Sequence, residues 1–78
     1  METLSPASLR AARAILKWTL QDLERASGVA FSTIHKIEQG ERTPQAATAA
    51  KLIAAFTAAG VEVFGPPKDG ARLSGDEG

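Results

Sequence analysis

The sequence predicts an all-α fold of four short helices followed by a short C-terminal β-strand or hairpin. Two residue pairs, Ser5-Pro6 and Thr43-Pro44, each combine an N-cap residue with a proline suited to the first helical position. Three glycines follow stretches with apolar residues at helical spacing, where glycine readily adopts the left-handed conformation that ends a helix: Gly28, Gly40 and Gly60. After the last of them apolar residues alternate, which is the period of a strand.

The first two helices are predicted over Pro6–Leu16 and Leu20–Ser27. Apolar residues recur at helical spacing in the first helix, at Leu9, Ala12 and Leu16. The second helix follows Thr19, an N-cap residue, and carries Asp22 at the position of a capping-box partner. Leu20 and Leu23 then face inward, and the helix ends at Gly28.

The third helix is predicted over residues 31–39, with Ile34 and Ile37 facing inward. The fourth helix opens at Thr43-Pro44 and stops before Gly60. Its many alanines favour helix. Its apolar stripe consists of Ala49, Leu52, Ile53 and Phe56.

The segment after the fourth helix changes character. Val61–Phe64 alternates and predicts a short strand, residues 65–70 form a loop, and residues 71–74 are a candidate second strand. We expect residues 74–78 to be disordered. Residues 1–64 therefore make up the domain with its C-terminal strand, and residues 65–78 comprise the loop, the candidate second strand and the tail.

The composition excludes several classes of protein. The 78 residues include no cysteine and one histidine, so disulfides and thiolate or zinc sites are excluded, and we expect no metal and no cofactor. No apolar run reaches the roughly 18 residues of a membrane span, and no signal-peptide pattern is present, so we expect a cytoplasmic protein without a membrane partner. A chain this short buries a marginal core, which leaves association with a second subunit as a source of stability.

The charge distribution is uneven. The formal net charge is zero, which argues against non-specific nucleic-acid binding. Residues 5–60 nevertheless carry seven basic against four acidic side chains, and the compensating acids lie at the two ends. The central part of the chain is therefore mildly basic.

The most informative segment is residues 19–38, TLQDLERASGVAFSTIHKIE. It predicts two short helices joined by a tight turn at Gly28, with Leu23 and Val29 burying the turn. This is the helix-turn-helix arrangement, whose second helix enters the major groove of DNA.

The run SGVAFSTIHKIEQGERTP resembles the Cro and lambda-repressor-like regulators, also called the xenobiotic-response-element family. The usual form in that family is close to GVS-x-x-TI-x-x-IE-x-G-x-R-x-P, and the resemblance extends over about residues 4–64. It implies a four-helix domain that binds double-stranded DNA.

The resemblance also implies roles for individual residues. Base contacts fall on the start of the third helix, at Phe31, Ser32 and Lys36. Arg13 and Glu38 occupy positions that pair with each other and tie the first helix to the third. Contacts to the DNA backbone fall near the beginnings of the second, third and fourth helices, at Leu20, Gln21, Thr33, His35, Arg42 and Thr43.

Three residues depart from the family pattern. Ala30 stands where Ser or Thr usually caps the third helix, which costs about 1 kcal/mol unless Ser32 caps a shorter helix instead. Leu20 replaces a polar phosphate-binding residue, so only backbone donors remain there. Glu24 replaces a small residue at the closest approach of the second and third helices.

Several side chains have two interpretations. Phe31 either contacts a thymine methyl group or packs against the turn, and Ser32 is either a DNA contact or a cap. Lys36 is favoured as a DNA contact over an ordinary solvated lysine. His35 is interpreted as a solvated residue or phosphate neighbour, and Trp18 as a plug between the first two helices.

The sequence predicts a sequence-specific DNA-binding transcriptional regulator, a repressor that acts as a homodimer on an inverted-repeat operator. Pairing of the C-terminal strand with its copy, through Val61, Val63 and Phe64, would form the dimer. The alternative is a protein-interaction module, such as an antitoxin-like partner or accessory subunit, which the neutral charge and the missing cap favour. No nucleophile–base set, carboxylate pair or phosphate loop predicts an enzyme.

Overall fold

The computed structural model describes residues 4–65 and 69–74. The predicted loop residues 66–68 and tail residues 75–78 lie outside the described residues. The elements in chain order are α1 (Pro6–Leu16), α2 (Leu20–Ser27), α3 (Phe31–Glu38), α4 (Ala46–Ala58), β1 (Val61–Phe64) and β2 (Gly70–Leu73).

The predicted bounds of the first two helices agree with the structure. Each begins with a complete capping box, in which side chain and backbone of two residues three apart bond reciprocally. Ser5 and Ser8 form the box of α1, and Thr19 and Asp22 form that of α2. Gly28 ends α2 in the left-handed conformation, with φ 79°, as its position predicts. Helix α3 begins where predicted and ends one residue early, at Glu38.

The predicted beginning of α4 is wrong. The helix begins at Ala46 after Gln45, whose backbone is extended (φ −68°, ψ 159°), and not at Thr43-Pro44. Proline fixes φ near −65° and biases the preceding residue toward extended backbone, so Pro44 suits the connecting segment as well as a first helical turn. Its ring lies half-buried beside Ile37 in that segment.

The chain is not purely helical, because β1 and β2 pair as an antiparallel hairpin. Val61 lies opposite Leu73, and Glu62 lies opposite Arg72. The second strand spans Gly70–Leu73, one residue earlier than predicted. The Ser74 amide donates to the Gly60 carbonyl (2.7 Å) and so closes the open end of the hairpin.

The core lies where the helices meet the hairpin. The hairpin packs against α1 and α4, whereas α3 packs against α1 and α2. The largest fully buried apolar side chains are Leu9, Leu23, Ile34, Ile37, Leu52, Phe56 and Val61. Helix α3 packs on α1 and α2 through one face, and its opposite face stays open to solvent.

The junction of α1 and α2 contains two features. Lys17 ends α1 in the left-handed conformation (φ 58°, ψ 37°), which is uncommon for a residue with a side chain. Trp18 then stacks on Phe56 of α4, with ring centroids 6.0 Å apart. The indole therefore ties the α1–α2 junction to α4. No helix within residues 4–65 or 69–74 combines the length and the apolar character needed to cross a bilayer.

Candidate nucleic-acid interface

One face of α3 is buried and the opposite face is exposed. Ile34 and Ile37 are within 1% of complete burial and fix the helix against the core. Thr33 is half-buried at the boundary between the two faces. The exposed face, which we call the α3 stripe, consists of Phe31, Ser32, His35, Lys36 and Gln39. The predicted base-contact residues therefore lie together on one exposed surface.

Phe31 is the most unusual member of the α3 stripe. It keeps 45% of its surface exposed, and it and Leu73 are the two large apolar side chains that stand exposed among the described residues. An isolated exposed apolar residue needs no explanation by itself. At the beginning of the stripe, however, it adds an accessible aromatic surface to a row of polar and cationic side chains.

The turn between α2 and α3 is held by a side chain from α2. The Ser27 hydroxyl donates to the Leu23 carbonyl (2.7 Å) and accepts from the Val29 amide (3.1 Å). Ala30, the N-cap of α3, makes no side-chain cap bond. Capping by Ser32 is wrong, because the helix already begins at Phe31. The orientation of α3 thus depends on the turn and on its buried face.

At the beginning of α2, an acidic side chain lies beside the backbone amides that could donate to a phosphate. Asp22 accepts from the Thr19 amide (2.9 Å), which lowers the pKa of Asp22, and the guanidinium of Arg25 lowers it further. Leu20 is half-buried and Gln21 is exposed. No hydrogen bond within the described part of the chain engages the amides of Leu20 and Gln21.

The segment before α4 carries Arg42 and Thr43, both exposed. They precede the helix by three residues or more, so their predicted position at its first turn is corrected to the connecting loop. Gln45, the N-cap, makes no side-chain cap bond. Helices α3 and α4 therefore both begin without a side-chain cap, unlike α1 and α2.

Comparison with known sequences identifies the family of the chain. A family model described as helix-turn-helix matches residues 9–57, which is more than half of the chain. The chain belongs to the helix-turn-helix family of the Cro and lambda-repressor type. This is a family of DNA-binding regulatory domains and not of enzymes. No curated protein sequence matches the chain.

In this helix-turn-helix unit, an ion pair joins α1 to the end of α3. Arg13 donates from Nε and Nη2 to the two carboxylate oxygens of Glu38, at 2.6 and 2.9 Å. Glu38 is only 4% exposed, and its hydrogen bond raises the pKa of Arg13. Arg13 also donates to the Trp18 carbonyl (2.7 Å), so one guanidinium connects α3 with the α1–α2 junction.

Sequence reasoning missed two residues, one that supports α3 and one that extends its exposed face. Arg10 donates from Nη1 to the Glu38 carbonyl (2.5 Å), a second link between α1 and α3. Its spacing of three residues from Arg13 places both on one face of α1, which is the signal that could have found it. Gln39, the C-cap of α3, extends the α3 stripe, because it lies seven residues after Ser32, close to two helical turns.

The residues predicted for the dimer do not share one environment. Val61 is 1% exposed and belongs to the core of its own chain, whereas Val63 and Phe64 are half-buried. The guanidinium of Arg72 lies over the Phe64 ring, 5.7 Å from its centroid, and also pairs with Glu62 (2.9 Å). The exposed large apolar side chain of the hairpin is Leu73, at 47%, next to the charged and exposed Arg72.

Proposed function

We propose that this helix-turn-helix domain reads the sequence of double-stranded DNA by inserting α3 into the major groove. The observation that supports the proposal is the α3 stripe, whose polar, cationic and aromatic side chains share one exposed face. The major groove is about 12 Å wide and admits one helix. Because Ile34 and Ile37 are buried behind the stripe, the helix is presented as a rigid element.

The side chains of the stripe suit different features of a base pair. Lys36 suits the acceptors of guanine, Phe31 the methyl group of thymine, and Ser32 either donors or acceptors. Phosphate contacts that set the register would come from Thr33 and His35, from the amides of Leu20 and Gln21, and from Arg42 and Thr43. Few cations are available, so we expect modest affinity for each domain.

We propose that two copies act together as a homodimer. Gly60 and Ser74 form a hydrogen-bonded pair of the hairpin. Hydrogen-bonded and non-hydrogen-bonded pairs alternate along an antiparallel ladder, so the pairs that contain Leu73 and Ala71 are non-hydrogen-bonded. The backbone groups of Ala71 and Leu73 therefore point away from β1. An open edge of this kind pairs readily with a second strand, and its partner here would be the same edge of a second copy.

The regulatory outcome that we propose is repression. A dimer that holds two half-sites about 34 Å apart occupies one side of roughly two helical turns of DNA. Other proteins are then excluded from the same base pairs, so occupancy of a promoter is sufficient to repress it. A reporter gene placed behind the selected operator should fall in expression when the protein is supplied, and an unchanged reporter would contradict repression.

The decisive test is selection of bound duplexes from a random DNA library. We expect an enriched inverted repeat, and we expect Lys36→Ala to weaken binding to it about tenfold. Lys51→Ala is the matched control, because it removes the same charge from an exposed position on α4. If no sequence is enriched even at low salt, the DNA-binding proposal fails and a protein-interaction module becomes the better hypothesis.

A further inference from the structure

A cavity of about 280 Å³ lies between the beginning of α1 and the loop that joins α3 to α4. Its volume is just below the range of about 300–1,000 Å³ typical of small-molecule sites, so only a small ligand would fit. Its apolar wall includes two side chains that are almost fully buried, Leu4 and Ile37. The lining also includes Pro6, Pro44, Arg42 and Thr43.

The polar groups of the cavity favour an anion. Within residues 4–65 and 69–74, Arg42 has no carboxylate within ion-pair distance, whereas Arg13, Arg25 and Arg72 each have one and Arg10 donates to a backbone carbonyl. Ser5 also lines the cavity, but its hydroxyl already belongs to the capping box of α1. The Arg42 guanidinium therefore supplies a positive charge beside a largely apolar wall.

We propose that this cavity binds a small amphipathic anion, a carboxylate on an apolar body about the size of one aromatic ring. The carboxylate lies on Arg42, whose planar donors match two carboxylate oxygens. The apolar body packs against Pro6 and Pro44, the half-buried apolar residues of the lining, with Leu4 and Ile37 buried behind them. The one arginine of the lining matches a ligand with a single negative charge, and the volume of the cavity matches a body of about one ring.

This site has a consequence for regulation that rests on the proposed function. Arg42 and Thr43 are also candidate phosphate contacts, so an anion in the cavity and a DNA phosphate compete for the same donors. Coupling between two ligands is reciprocal. An anion bound here therefore lowers the affinity for DNA by the same factor by which bound DNA lowers the affinity for the anion. The anion is therefore expected to release the protein from DNA.

The test is an NMR titration of the full ¹⁵N-labelled chain, without DNA, using phenylacetate and its neutral analogue phenylacetamide. We expect the amide resonances of Leu4, Ile37 and Thr43 to shift, with dissociation constants for phenylacetate in the range of about 1–10 mM. We expect phenylacetate to bind about tenfold more tightly than phenylacetamide, because a charge-assisted hydrogen bond is stronger than a neutral one.

Two substitutions decide whether the preference comes from Arg42. Arg42→Gln should remove the preference for the carboxylate, and Lys51→Gln, an exposed lysine on α4, should retain it. Both positions are exposed, so the dispersion of the spectrum should stay unchanged. The proposal is overturned if the cavity residues do not shift at about 20 mM phenylacetate, or if Arg42→Gln keeps the tenfold preference.

A second titration separates the site from the DNA-binding proposal. Phenylacetate, with sodium acetate as the ionic-strength control, should lower affinity for the selected operator, and phenylacetamide should not. Shifts at the cavity without any effect on operator affinity would overturn the competition. The titration without DNA tests the cavity whether or not the chain binds DNA, so the two failures are distinguishable.

Discussion

Glu38 is a carboxylate that the fold removes almost entirely from water. Its two oxygens accept from Arg13, and its own carbonyl accepts from Arg10. A buried ion pair contributes little net stability compared with apolar residues of the same size, but an unpaired buried charge is strongly destabilising. The pair therefore acts mainly as a specific connection that places the end of α3 relative to α1.

Removing the cation should have a large effect. Arg13→Ala leaves the Glu38 carboxylate buried without its partner, and we expect the free energy of unfolding to fall by about 3 kcal/mol. Urea denaturation measures the change. The double variant Arg13→Met with Glu38→Leu should recover most of the loss, because no buried charge remains. Equal destabilisation by the single and double variants would contradict this explanation.

Lys17 holds a backbone conformation that glycine adopts with less strain. Nothing in the lysine side chain fixes a positive φ of 58°, so the residue carries about 1 kcal/mol of strain. Lys17→Gly should relieve this strain and raise the free energy of unfolding by about 0.5–1 kcal/mol. The gain is reduced by the conformational entropy that glycine adds to the unfolded chain. Lys17→Ala is the control, since alanine keeps the strain. Thermal denaturation should separate the two variants, and the same melting temperature for both would exclude strain as the cause.

At the scale of the element, α3 is short and begins without a cap. Its eight residues would not form a helix in isolation, so packing of Ile34 and Ile37 holds it in place. The missing cap at Ala30 follows directly from the sequence, because alanine has no side-chain acceptor. Its consequence is a first turn whose amides, at the base of the α3 stripe, lack side-chain partners within the described part of the chain.

Supplying the cap should stabilise the free protein. Ala30→Ser is expected to raise the free energy of unfolding by about 0.5–1 kcal/mol and to slow hydrogen exchange in the first turn of α3. Ala26→Ser, at an exposed position inside α2, is the control and should give no gain. Urea denaturation and amide exchange provide the two measurements. A gain of the same size from both variants would show that serine acts here by some means other than capping.

The elements differ in how well the sequence predicts them. Capping boxes and glycines act through neighbouring residues, so α1 and α2 could be bounded from sequence, and Thr19 and Gly28 mark the limits of the second. Pro44 could not be interpreted from local signals, because its φ suits both a first helical turn and the extended segment that the loop requires. The path of that loop depends on its contact with the beginning of α1, which is distant in sequence.

The candidate site shows the same division. The exposed face of α3 followed from the spacing of Ile34 and Ile37, since every residue on the opposite face of a short helix must point outward. The carbonyl partner of Arg10 and the cavity beside Arg42 depend on how α1 lies against α3 and on the loop before α4. Such long-range placements carry no periodic signal in the sequence.

At the scale of the molecule, the two large apolar side chains that stand exposed among the described residues allow the proposed dimer and the proposed base contact to be tested separately. Leu73 lies on the open edge of the hairpin, and Phe31 lies at the beginning of the α3 stripe. Leu73→Ser should weaken the proposed dimer, since burial of one leucine side chain contributes about 2 kcal/mol. The two-fold symmetry of a homodimer would bring the Leu73 side chains of both copies into the interface. Phe31→Ser should leave the dimer intact and change the selected DNA sequence.

Sedimentation equilibrium over a range of concentrations measures the first effect, and library selection measures the second. The two residues have nearly the same exposure, 47% and 45%, so each variant controls for the general effect of removing a surface apolar group. A monomer at all concentrations for the unmodified chain would exclude the homodimer. A change of dimer affinity in the Phe31 variant would assign the interface to α3 instead of the hairpin.

The contrast between capped and uncapped helices has a thermodynamic consequence. Ser5 and Thr19 complete the first turns of α1 and α2 from within the chain, whereas the first turns of α3 and α4 have no such acceptor. A phosphate oxygen placed at either turn would take the role of the absent side chain. DNA binding would then complete the folding of these turns. The loss of conformational entropy on ordering them would lower the affinity for DNA. In a variant whose first turns of α3 and α4 are already capped, DNA binding would order these turns less. A gain in the stability of the free protein therefore comes with a smaller ordering of the turns on DNA binding.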